Sequence, residues 1–283
     1  MPATAPQPKS VYVQAGQHEI HVTQWGDPAN PALVMWHGLA RTGRDFDELA
    51  AALSDDYLVL CPDTLGRGMS AWAGDPAKEY AFSVFGDHTI AILDHYGIGD
   101  LRWIGTSMGA LIGMTLAGGR LKERISHFVV NDIGPTLPKD ALDRIATYAG
   151  NPPTFDTIAE LENWLRTVYA PFGANPDAFW RRLADTSMRR TDSGKVTVHY
   201  DPKMVVHLTA QPQDFDLWSC WDAISARTLV LRGEDSDVLP AAAVHEMQSR
   251  GPKPACEVFT GVGHAPTLVS DREISLLRNF LSS

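Results

Sequence analysis

The chain has 283 residues, 44% of them hydrophobic and 20% charged, and a formal net charge of −10. That composition suits a globular protein with one large α/β domain, or a core with an inserted subdomain. The acidic balance and the lack of any Lys/Arg run exclude nucleic acid as a partner. It mildly disfavours polyanionic substrates, and no apolar run approaches the ~18 residues of a membrane span.

The N-terminus, MPATAPQPKS, is proline-rich and has no apolar h-region, so residues 1–9 read as a loose tail and not as a signal peptide. Ser10–Ala15 and Glu19–Trp25 alternate around Gly16-Gln17 and predict a hairpin. Ala32–Trp36 and Tyr57–Cys61 are continuous apolar runs and predict buried strands, with an amphipathic helix over Phe46–Leu53 between them. Phe82–Tyr96 is helical. Leu101–Thr106 then predicts a strand, Met108–Gly118 a buried helix and Ile125–Val130 a further strand. From about Pro135 to Trp221 no buried strand is expected. Helical patterns cover Asp140–Tyr148, Ile158–Tyr169 and Pro176–Met188, and Val196–Tyr200 is a brief strand or an extended loop. The strand–helix rhythm returns with Thr228–Arg232, Ala241–Arg250, Cys256–Phe259 and Glu273–Leu281. This order implies a mostly parallel, doubly wound α/β sheet with helices on both faces. Residues 10–134 and 223–283 form its core, and 135–222 form an inserted helical cap over the strand ends.

Cys61, Cys220 and Cys256 are odd in number and show no C-x-x-C spacing, so they read as reduced thiols of a cytoplasmic protein. His18-x-x-His21 lies on an alternating segment and is expected at the surface, and no cluster has metal-ligand spacing. Gly66-Arg67-Gly68 lacks the spacing of a dinucleotide-binding loop. Neither a metal nor a cofactor is expected.

The chemistry concentrates at Gly105-Thr106-Ser107-Met108-Gly109, a G-x-S-x-G sequence at the strand-to-helix turn. So tight a turn holds Ser107 in a strained backbone conformation and lifts its hydroxyl clear of the sheet. Gly105 and Gly109 let the helix close onto neighbouring strands. The Met108 N–H, at the helix N-terminus, is left free to bind a developing negative charge.

Five strand-end segments give the sequence its resemblance to the α/β-hydrolase family over nearly the whole chain. They are His37-Gly38-Leu39, Pro62-Asp63-x-x-Gly66-x-Gly68-x-Ser70, the Ser107 turn, Leu231-Arg232-Gly233-Glu234-Asp235-Ser236-Asp237 and Gly261-Val262-Gly263-His264-Ala265-Pro266. It resembles the esterase-type branch with a helical cap. The resemblance implies that Ser107 is the nucleophile and His264 its general base, with the backbone N–H groups of Leu39 and Met108 as the oxyanion hole. It places the triad acid three residues after Gly233, where this chain has Ser236 between two aspartates. Asp237 is favoured because Val238-Leu239-Pro240 resembles the start of the next helix. Asp235 comes second, and Asp132 third, since some relatives carry the acid after the preceding strand. His37 is expected to be structural; His88, His95 and His245 are expected as surface or packing residues.

Ser107 in place of a carboxylate argues against dehalogenase and epoxide hydrolase chemistry and for acyl transfer. The expected activity is hydrolysis of a small or medium carboxylic ester or lactone through an acyl-enzyme. Alternatives on the same residues are C–C bond hydrolysis, acyl transfer, cofactor-free perhydrolysis or a slow-turnover ligand receptor. Arg41 and Arg44 are candidates to meet a substrate carboxylate, and equally to be a solvated helix start. The cap aromatics Trp164, Tyr169, Phe172, Phe179, Trp180, Tyr200, Trp218 and Trp221 are expected mainly as cap core, a few facing the cleft. The partner is a small ester-like molecule, no membrane is involved, and a homodimer is left open.

Overall fold

The apolar runs read as buried strands lie at the centre of one eight-stranded sheet in the computed structural model, which describes residues 7–210 and 212–283. Of the tail expected over 1–9, residues 1–6 lie outside the described residues, and the first strand, β1 (Lys9–Ala15), starts at Lys9. It pairs antiparallel with β2 (His18–Trp25) as the expected hairpin, and β2 pairs antiparallel with β4 (Leu58–Pro62). All later neighbours are parallel: β4 with β3 (Ala32–Trp36), then β5 (Leu101–Thr106), β6 (Ile125–Asn131), β9 (Arg227–Gly233) and β10 (Ala255–Phe259). The order is β1-β2-β4-β3-β5-β6-β9-β10.

The pleat divides the side chains between two cores. Val34 and Trp36 point to one face, where Trp36 stacks on Trp103 at 5.4 Å, under α3 (Phe82–Tyr96) and α4 (Met108–Ala117). Leu33 and Met35 point to the other, against α1 (Asp47–Leu53) and α11 (Asp271–Leu281). Helix α11 starts at a capping box of Ser270 and Glu273 and buries Leu277 and Leu281 completely. Each such leucine contributes about 1.5–3 kcal/mol. A short helix α2 (Pro76–Glu79) precedes α3, and α10 (Ala241–Ser249) links β9 to β10.

Between β6 and β9 the chain leaves the sheet, as the broken rhythm implies. It forms α5 (Lys139–Gly150), α6 (Ile158–Val168) and α7 (Asp177–Ser187), then an antiparallel pair of β7 (Met188–Arg190) and β8 (Val196–Val198). Two short helices follow, α8 (His207–Ala210) and α9 (Trp218–Ala223). A boundary at residue 222 passes through α9, which packs on the C-terminal end of α4: a Cβ on Gly118 would stand 2.2 Å from the Cys220 carbonyl oxygen. Of the aromatics in this segment, Phe179, Trp180, Tyr200 and Trp221 are buried.

One expectation fails at β2. His18 and His21 are buried, not at the surface, because both faces of β2 are covered. His18 bonds His88 and Glu79, whereas His21, three residues along a strand and so on the opposite face, bonds Asp63 and Ser10.

The tightest backbone approach in the sheet–helix interface is at Gly109, where a Cβ would stand 2.0 Å from the Trp36 carbonyl oxygen. Neither backbone can yield without opening the core. Gly109→Ala is therefore expected to cost about 3 kcal/mol or more, read as a lowered urea midpoint at unchanged m-value.

Candidate active site

Ser107 and His264, which the sequence singles out, come together at the C-terminal edge of the parallel strands. Ser107 sits between β5 and α4 at φ 52° and ψ −117°, a left-handed conformation that costs a non-glycine residue about 1–3 kcal/mol. Its neighbours hold it there. The Ser107 N–H donates to the Asn131 carbonyl at 2.9 Å, and its own carbonyl accepts from Ala110 and Leu111. A Cβ on Gly105 would lie 2.4 Å from the backbone of Gly109 and Ala110, so the turn closes only with glycine there.

His264 lies on the loop between β10 and α11. Its Nε2 is 2.9 Å from Ser107 Oγ, and its Nδ1 is 2.8 Å from Asp132 Oδ2. The loop is tied to the elbow by Asn131, whose Nδ2 donates to Thr106 Oγ1 and to the Pro266 carbonyl. A carboxylate accepts only, so Nδ1 carries the proton and Nε2 is free to take one from the serine.

The acid beside His264 is Asp132, the third-ranked candidate, and not Asp237. Asp132 follows β6 at φ 59°, a conformation aspartate tolerates better than most residues, and is fully buried. Its Oδ1 accepts from the Gly233 N–H at 2.9 Å and its Oδ2 from Ser236 Oγ at 2.6 Å as well as from His264. Ser236, at the position where the resemblance expects the acid, thus donates a hydrogen bond to it. Asp237 is turned away because Val238 and Leu239, which follow it, are drawn into the core, and their N–H groups cap on Ser236 Oγ. Its carboxylate is exposed and forms an ion pair with Arg144 at 2.7 Å. Asp235 is also exposed, with its N–H on the Val262 carbonyl. The signal for Asp132 was available as a pair: a serine where an acid is usual, and an aspartate just beyond the neighbouring strand.

Leu39 borders the cavity at Ser107 and Met108 a small crevice beside it, and neither N–H has a hydrogen-bond partner among the described residues. The peptide that carries the Leu39 N–H is fixed from behind. The buried His37 donates from Nδ1 to the Gly38 carbonyl at 2.7 Å and accepts the Thr64 N–H at Nε2, at 2.9 Å. Burial lowers the His37 pKa to about 4, so the ring stays neutral and keeps both roles. His37 is structural, as expected.

A cavity of about 500 Å³ opens over these groups, walled by the core loops and by Arg144, Ile145, Tyr148, Tyr169 and Phe172 of the β6–β9 segment. Arg41 reaches this cavity but is engaged: its guanidinium grips Asp45 through two nitrogens and lies over the Tyr169 ring at 5.1 Å. Arg44 does not reach it and pairs with Asp47. Arg144, which the sequence reading did not single out, is the half-exposed cation there.

A larger cavity, about 730 Å³, lies elsewhere, against Arg44, Arg181 and Asp63. Ser10, His21 and Asp63 line up on its wall at 3.0 and 2.8 Å, nearly the spacing at Ser107. Ser10, however, lies in regular strand pairing with Thr23, at no helix N-terminus. Asp63 braces two turns by accepting from the Gly43 and Met69 N–H groups. The same three residue types are structural there.

The family model described as alpha/beta hydrolase fold matches residues 31–271. The chain is 39% identical over 278 residues to a 3-hydroxybutyrate-oligomer hydrolase of Cupriavidus necator, covering 95% of this chain and 94% of that protein. It is 25% identical over 274 residues to a 2-(acetamidomethylene)succinate hydrolase of Mesorhizobium japonicum, covering 96% and 94%. Among solved structures, an alpha/beta hydrolase from Novosphingobium aromaticivorans superposes with a TM-score of 0.88 at 33% identity, covering 97% of this chain and 98% of that one.

Because Asp132 and not Asp237 holds His264, the two aspartates separate in one assay. Asp132→Asn is expected to slow fluorophosphonate labelling of Ser107 by about 10³–10⁴-fold. Asp237→Asn is expected to slow it by less than about tenfold. The rates are read by intact-mass time courses.

Proposed function

The chain belongs to the α/β-hydrolase fold family, and on that premise we propose that it hydrolyses a small carboxylic ester through an acyl-enzyme formed on Ser107. The observation that carries this is the 2.9 Å approach of His264 Nε2 to a serine hydroxyl raised on a strained elbow. His264 takes the hydroxyl proton as Ser107 attacks the carbonyl, then gives it to the departing alcohol. The Leu39 and Met108 N–H groups bind the oxyanion, aided by the positive end of α4. Water, deprotonated by His264, releases the acid. Asp132 keeps the imidazole in the needed tautomer and stabilises its charged form.

We further propose that residues 135–222 act as a cap that closes the site and selects the substrate. The wall it contributes is largely apolar, and its exposed cation Arg144 is already paired with Asp237, which favours a small, mostly apolar ester. The similarity to a hydrolase of 3-hydroxybutyrate oligomers makes short oligoesters of hydroxy acids the first class to assay.

Ser107→Ala is expected to lose about 10⁵–10⁶-fold in turnover of p-nitrophenyl acetate or butyrate while keeping the wild-type melting temperature. Near-normal hydrolysis by that variant would remove the nucleophile assignment. Short acyl esters are expected to outpace octanoate, measured as kcat/KM across the series.

A further inference from the structure

Sharing Leu39, Ser107 and Ile145 with the main cavity, a second, much smaller space of about 20 Å³ lies beside Ser107. Its walls also include Met108, Leu142 and Phe215, and apart from Ser107 its one polar neighbour among the described residues is His207. His264 borders the main cavity and does not border this crevice. The departing alcohol must lie where His264 can protonate it, so it occupies the main cavity. The acyl group then lies beside Leu39 and Met108, with its end at the crevice. A space of that size holds about one water-sized group, such as a hydroxyl, and refuses a fatty chain.

His207 is 1% exposed, held edge-on by Phe82 at 4.8 Å and packed on Phe215 at 5.1 Å. Its Nε2 is 2.7 Å from Asp214 Oδ2, which also accepts the Phe82 N–H. The carboxylate accepts only, so Nε2 carries the proton. Burial lowers the ring's pKa despite the Asp214 charge, which keeps it neutral. That leaves a lone pair on Nδ1, and Nδ1 is buried with no hydrogen-bond partner among the described residues. An acceptor left unmatched on a ring that borders an apolar crevice carries an uncompensated desolvation cost, which a donor on a ligand there would remove.

We infer that His207 is a specificity residue that reads a hydroxyl on the acyl half of the substrate through Nδ1, so that the enzyme cuts esters of short hydroxy acids. The inference rests on the serine-hydrolase reading above. In an oligoester, a free hydroxyl is present on the acyl group only at the hydroxyl-bearing end. The geometry therefore sets a direction: the hydroxyl of the terminal hydroxyacyl unit enters the crevice, and the rest of the chain leaves through the main cavity.

The test uses the full-length protein and three esters with the same leaving group: methyl butyrate, methyl 3-hydroxybutyrate and methyl 3-methoxybutyrate. In the wild type the hydroxy ester is expected to exceed both others in kcat/KM by about tenfold or more, since only it can donate. In His207→Phe the ratio of hydroxy ester to butyrate is expected to fall to about one. His207→Gln, which keeps an acceptor oxygen, should retain part of the preference. The wild-type comparison needs no variant, so a variant that fails to fold does not remove the test. Butyrate cleaved as well as the hydroxy ester by the wild type, or an undiminished preference in folded His207→Phe, would overturn the role of His207 and leave ester hydrolysis intact. No cleavage of any of the three would overturn the hydrolase reading together with it.

Discussion

The carboxylate of Asp132 is the hub of this site. A fully buried negative charge is costly unless donors surround it, and here three do: the Gly233 N–H, the Ser236 hydroxyl and His264 Nδ1. Its backbone is held as well, since the Asp132 N–H donates to the Leu231 carbonyl. Those partners come from the end of β9, the loop after it and the loop after β10. The strand order that sets β6 between β5 and β9 is thus what brings serine, aspartate and histidine to one point. No single strand end holds a working site; the sheet assembles it.

The groups that would stabilise charge on the substrate are braced by the same logic. Arg67 is wholly buried. Its Nε donates to the Leu39 carbonyl and its Nη1 to the Leu65 carbonyl, and its Nη2 approaches Met108 Sδ at 3.7 Å. The guanidinium lies over the rings of Tyr80 and Phe85. Burial lowers its pKa to about 10, which still leaves it charged at neutral pH. One side chain therefore touches both Leu39 and Met108. The Gly66–Gly68 turn that carries it is stitched to residues 199–201 by backbone hydrogen bonds from Gly68 to His199 and from Asp201 to Gly66. This turn thus joins the β6–β9 segment to the side chain that contacts Leu39 and Met108.

Most of the scaffold was legible because periodicity reports burial. The runs Ala32–Trp36 and Leu58–Pro62 have both faces covered and so lack alternation, and the Ser107 turn declares itself through two glycines that packing demands. The acid was harder. Asp132, Asp235 and Asp237 are equivalent by residue type, and the choice depends on which backbone turns inward after β9. The burial of Val238 and Leu239 settles that by sending Asp237 out to Arg144, an interaction between segments nearly a hundred residues apart that no local pattern carries. The same limit explains His18 and His21. Alternation predicts one solvated face, but β2 is covered on both by α3 and the loop at Asp63. Arg144 and His207 went unnoticed for a related reason. They lie on the mixed helical segment, where facing the cleft and facing solvent look alike in sequence.

In the proposed mechanism, Asp132 holds the proton of His264 Nδ1 in place for chemistry at Ser107. Proton NMR of the hydrogen-bonded Nδ1–H, which resonates far downfield when it faces a carboxylate, tests this most directly. The resonance is expected to be present in the wild type, to persist in Asp237→Asn and to disappear in Asp132→Asn and in His264→Ala. A resonance retained in folded Asp132→Asn, or lost in Asp237→Asn, would contradict it.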